Sequence, residues 1–140
     1  AIGLSTVLRP ALRDADTTVV VASAAIAAVN GTLEETLWRA TYLEAFPGDS
    51  VRGVLYPGLG FAAWHYAPQA IFANTRPGGA SSLVAASGAL GLLWSGVARR
   101  SGSILGTTVS HVLLDFSGLG ARVYTRGVER TGQVTGERTR

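Results

Sequence analysis

The 140-residue chain has no cysteine, no methionine and no lysine; all 12 of its basic residues are arginine. Without cysteine, a disulfide-stapled secreted domain is excluded, and so are a Cys-ligated zinc site and a cysteine nucleophile. Without methionine, Ala1 is expected to be the product of processing or the start of an excerpt. Residues 1–16 are then an N-terminal segment continuing from upstream helices. Charge is scarce too. Charged residues make up 15% of the chain, whereas ordinary soluble domains carry about 25%. The net charge is +3, but no basic stripe accompanies it, so nucleic acid is not an expected partner. What is abundant is apolar and small. Hydrophobic residues reach 47% and glycines number 18, too apolar for a disordered chain.

The few charges are unevenly placed. Between residues 53 and 98 the sole formal charge is Arg76. That block splits into apolar runs at 54–73 and 80–98, each near the ~20 residues that cross a bilayer. A third run, 104–119, holds one histidine and one aspartate. A fourth, 17–46, begins apolar and carries Glu34, Glu35, Arg39 and Glu44 in its second half. Its length leaves room for tilt or protrusion. Turn-forming clusters at 46–50, 74–79 and 99–102 separate the runs. The pattern predicts an all-α, polytopic transmembrane helix bundle of about four spans. Its core covers 17–119, and 120–140 form a polar tail. Arg9, Arg13, Arg76, Arg122, Arg126 and Arg130 fall on one side of such a bundle. Arg52, Arg99 and Arg100 fall on the other, so the first side is expected to be cytoplasmic.

Small residues recur at four-residue spacing within the runs: Ala85/Ala89, Ser87/Gly91, Gly91/Ser95 and Gly102/Gly106. Such pairs let helices approach closely in lipid. In a soluble helix so many glycines would be costly. The sequon Asn30-Gly31-Thr32 lies inside a membrane run and is discounted as a glycosylation site.

Ionisable residues at membrane depth are functional candidates by default. They form three constellations. In Glu34-Glu35-x-x-x-Arg39, a four-residue step returns Arg39 to the face of Glu35, with the acid first, the favourable order. Glu34 points about 100° away from that pair. A carboxylate set apart in this way suits a proton acceptor. The second constellation is Phe61-x-x-x-His65 and the third is His111-x-x-x-Asp115. These are the only two histidines, and both fall inside apolar runs. Each constellation also has a bland explanation: a helix-face ion pair, an interfacial histidine between Trp64 and Tyr66, and a His–Asp tie between helices.

The ordered set EExxxR, FxxxH and HxxxN/D, on successive membrane helices, resembles the CPBP family. This is the family of CAAX-protease and Abi-like intramembrane glutamic endopeptidases. The resemblance implies an integral membrane peptidase that needs no cofactor and no metal, expected in a bacterial plasma membrane. Carried onto this chain, it makes Glu34 the general base and lets His65 help hold the water. His111 becomes the oxyanion donor, and Glu35 with Arg39 braces the site. Asp115 departs from the Asn of the eukaryotic enzymes, although the prokaryotic pattern admits Asp. An ionised Asp cannot donate to an oxyanion, so it must either be protonated or orient His111. Membrane lipid and a peptide or protein substrate, such as a lipidated C-terminus or a bacteriocin-like peptide, are the implied partners.

Other readings compete. Glu34, His65 and His111 could form a zinc site of a membrane peptidase, although no HExxH pair is present. Ser87 in Ala86-Ser87-Gly88 could be a serine nucleophile with His111 as base, which leaves the other polar groups unexplained. A noncatalytic immunity or scaffold protein, or a proton-coupled transporter, would also keep buried Glu and His.

Overall fold

The computed structural model describes Leu12, residues 15–67 and residues 79–117. The expectations for the N-terminal segment, the 74–78 part of the second turn, the end of the 54–73 run, the polar tail and most of the arginines used for orientation fall outside those residues. Everything described is helix or turn, with no strand among the described residues.

Helix α1 runs Thr17–Ala45, 29 residues. Asp16 starts it by accepting the Thr18 amide at 2.7 Å. That hydrogen bond holds the Asp16 carboxyl below its usual range. Helix α2 comprises residues 51–64: a π-helical turn, Val51–Leu55, leads into Tyr56–Trp64. Helix α3 is Gly79–Ser101 and α4 covers residues 105–117. Helices α1 and α3 are long and apolar enough to cross a membrane.

The exposure pattern is the reverse of a water-soluble bundle. Along α1, every fourth residue from Ser23 is buried: Ser23, Ala27, Gly31, Glu35 and Arg39. Val21, Ile26, Val29, Leu33 and Leu37 are exposed. Large apolar side chains thus face outward, and small or polar ones face inward. A hydrocarbon solvent rewards that arrangement, since lipid competes for apolar surface but not for polar groups.

Both π-helical turns have local causes. In α1 the turn Thr36–Ala40 closes with the Thr41 amide on the Thr36 carbonyl, and the Thr41 hydroxyl donates to the same oxygen at 2.9 Å. In α2 the widened turn ends two residues before Pro57. A proline ring clashes with the carbonyl four residues back in a regular helix, and the wider turn relieves this.

Contacts divide the chain into two units, Leu33–Thr108 and Ala1–Thr32 with Val109–Arg140. In the first, α2 and α3 pack through glycine. A Cβ on Gly91 would stand 3.0 Å from the Gly58 carbonyl oxygen and 3.1 Å from the Phe61 ring. Ser87, Gly91 and Ser95 are all buried, as their spacing predicts. The other two small pairs behave differently. Ala85 and Ala89 are exposed. Gly102 ends α3 in the left-handed region, φ +67°, and both it and Gly106 face open space. Gly102 is therefore a helix terminator rather than a packing residue. In the second unit α1 and α4 meet at Gly31, where a Cβ would approach Val112 Cγ2 to 2.9 Å.

Candidate active site

In the unit Leu33–Thr108, Glu35 and Arg39 are both fully buried, and Arg39 Nη1 lies 3.0 Å from Glu35 Oε1. The guanidinium sits 4.3 Å from the Phe61 ring centre and 5.3 Å from that of Trp94. Two aromatic faces and one carboxylate thus replace water around the buried cation. Trp94 comes from α3, the helix with no polar motif. Nothing in its spacing marked it as part of this cluster.

Glu34 lies one residue before the pair, and its charge also acts on Arg39. The Trp64 indole donates to Glu34 Oε1 at 3.2 Å. Read from sequence, Trp64 belongs only to an aromatic belt. Its indole N–H is the added signal, since it fits a carboxylate acceptor.

His65 differs from its expected place. It caps the C-terminal end of α2 rather than lying within a helix. Pro68 follows three residues later and offers a sequence reason for the stop. His65 Nδ1 lies 2.8 Å from the Phe61 carbonyl oxygen. As the donor to a carbonyl, Nδ1 carries a proton, which in a neutral imidazole leaves the lone pair on Nε2. The Phe61 and His65 rings meet edge to face at 4.4 Å. The FxxxH spacing thus places the aromatic ring of Phe61 between Arg39 and His65.

In the other unit, His111 is buried, and its Nε2 lies 3.7 Å from Asp115 Oδ1. The second oxygen, Asp115 Oδ2, accepts from Asn30 Nδ2 at 2.9 Å. Asn30 has no role in the motif set read from sequence. Among the described residues no group of three or more His, Asp and Glu side chains is arranged to hold a metal ion.

A family model, type II CAAX prenyl endopeptidase Rce1-like, matches residues 16–117. The chain belongs to this family. The match covers all three constellations and agrees with the resemblance read from their order. It makes this Rce1-like chain an integral membrane endopeptidase acting on peptide or protein substrates. No curated protein and no solved structure matches the chain.

Proposed function

We propose that this Rce1-like chain hydrolyses a peptide bond near the membrane face with a water activated by glutamate and histidine, without a covalent intermediate. The observation that carries the reading is the division of labour between adjacent carboxylates. The charge of Glu35 is matched by Arg39 at 3.0 Å. Glu34 accepts the Trp64 indole N–H at its Oε1, which orients that carboxylate. An ionised carboxylate oriented in this way can take a proton from water. His65, through the Nε2 of the neutral imidazole, can accept the second hydrogen of that water. The hydroxide so formed attacks the peptide carbonyl. His111 donates to the oxygen that becomes negative, an interaction typically worth ~10²–10³ in rate. Glu34 then returns its proton to the departing amine. Glu35 and Arg39 brace the helix that carries the base.

The substrate class follows from the family name: a prenylated C-terminal CaaX peptide is the first candidate, and a bacteriocin-like peptide the second. The aspartate at position 115 matches the prokaryotic form of the motif and supports a bacterial plasma membrane as the setting. The test uses the purified membrane protein in liposomes with a farnesylated CaaX reporter peptide. His65→Ala is expected to lower kcat on the order of 10²-fold or more, and a zinc chelator is expected to change nothing. Cleavage that survives His65→Ala rejects the water-holding role. Chelator sensitivity reversed by zinc replaces the mechanism with a metal-dependent one.

A further inference from the structure

We propose that the cleft where α1 and α3 end binds the zwitterionic headgroup of phosphatidylethanolamine, with its phosphate on Arg99 and its primary ammonium on Glu44. The site lies apart from the peptidase groups. Glu44 is ten residues beyond Glu34 on α1, about 15 Å along the helix axis.

The cleft has a volume of about 400 Å³, and its lining residues all belong to the unit Leu33–Thr108. Ordinary small-molecule sites occupy ~300–1,000 Å³. Leu43, Glu44 and Pro47 line it from the end of α1 and the turn that follows, and Arg99, Gly102 and Ser103 line it from the end of α3. Both helices leave their apolar runs here, at the depth where lipid headgroups lie.

Two opposite charges line this one cleft, and neither is spent in an ion pair. Among the described residues, Glu44 and Arg99 are bridged neither to each other nor to another side chain. Arg99 Nη1 is buried and has no hydrogen-bond partner among those residues. It packs against α2 at Gly53, where a Cβ would stand 3.5 Å away. The Arg99 charge reaches Asp49, but that carboxylate is committed to its own turn. Asp49 Oδ1 accepts the Val51 amide at 2.8 Å and the Arg52 amide at 3.0 Å, and Oδ2 lies 3.6 Å from Arg52 Nε.

A buried guanidinium N–H without an acceptor is unfavourable. Phosphate oxygens satisfy it through charge-assisted bonds. The Glu44 carboxylate then selects what the phosphate carries. A glycerol headgroup brings no positive charge to it. A choline headgroup brings the charge but no N–H, whereas a primary ammonium brings three donors. The ends of α1 and α3 reinforce that choice, because the last carbonyls of a helix lack intrahelical partners and carry partial negative charge. Val97 and Leu105, close in sequence to the lining residues, are exposed and offer apolar surface to the acyl chains.

Native mass spectrometry of the purified, delipidated protein in detergent reads the site. Phosphatidylethanolamine, phosphatidylcholine and phosphatidylglycerol with identical acyl chains are added in turn. The first is expected to be retained about tenfold more than the other two; equal retention overturns the proposal. Glu44→Gln, a change at an exposed side chain, is expected to abolish the preference for the ethanolamine lipid over the glycerol lipid while both still bind. A preference that survives Glu44→Gln overturns the ammonium assignment. Arg99→Gln is expected to lower retention of both lipids about tenfold, and wild-type retention overturns the phosphate assignment. Should Arg99→Gln unfold, the Glu44→Gln comparison decides alone. O-phosphoethanolamine, the same headgroup without acyl chains, separates a lipid from a soluble occupant. At equal concentration the lipid should raise the unfolding temperature and the free headgroup should not. An equal rise from both overturns the lipid assignment.

Discussion

Arg39 illustrates how much of the site depends on the kind of side chain as well as its charge. Its guanidinium is enclosed by Glu35, Phe61 and Trp94 and has no exposure. Removing one partner of a buried ion pair leaves the other charge uncompensated, at a cost of about 3–5 kcal/mol. Arg39→Ala is therefore expected to lower the thermal unfolding temperature in detergent sharply. Arg39→Lys keeps the charge but loses the flat surface that stacks between the rings. It should fall between wild type and Arg39→Ala, and a lysine variant as stable as wild type would argue against the aromatic cage. The Glu35–Arg39 pair was legible in the sequence because four-residue spacing is a local property of helices. Trp94, Trp64 and Asn30 were not, since each reaches its partner across the fold. A single sequence carries no mark of such distant contacts when the residue also suits a lipid interface or a discounted sequon.

At the scale of the element, the α2–α3 crossing depends on two glycines. Gly91 presents bare backbone to Gly58, and a Cβ would meet the carbonyl oxygen at 3.0 Å and the Cα at 3.3 Å. Backbone atoms cannot yield as a flexible side chain would. Gly91→Val is thus expected to destabilise the protein by about 1–3 kcal/mol through overpacking. Because Phe61 sits in the same contact, activity should fall as well. Gly96 faces open space, so Gly96→Ala serves as the neutral comparison. A Gly91→Val variant that unfolds with wild type would contradict the crossing. The small-residue spacing revealed this crossing through Ser87, Gly91 and Ser95, but it also suggested Ala85/Ala89 and Gly102/Gly106. Spacing reports which residues share a helix face. It does not report whether another helix covers that face, or whether a glycine such as Gly102 is there to end the helix.

Across the whole molecule, the apolar runs and turn clusters gave the helices and their order. The end of α2 at Trp64 and the π-helical turns were less visible, because hydropathy is blind to backbone hydrogen bonding. Within the unit Leu33–Thr108, the turn after α1 and the turn after α3 lie together. Pro47 lines a cleft of about 400 Å³ with Gly102 and Ser103. Both turns should therefore meet the same aqueous face of the membrane. The absence of cysteine makes single-cysteine labelling clean. A membrane-impermeant maleimide is expected to label Gly48→Cys and Arg100→Cys from the same side of sealed vesicles, and to leave the outward-facing Leu93→Cys unlabelled. Labelling of the two turns from opposite sides would refute the arrangement. The central claim concerns Glu34 as the base, and one substitution tests it most directly. Glu34→Gln keeps the size of the side chain and an oxygen for the Trp64 indole, yet cannot take a proton from water. In purified protein that retains its wild-type unfolding temperature, cleavage of the farnesylated CaaX peptide should fall by ~10²–10⁴-fold. Cleavage at the wild-type rate would contradict the account.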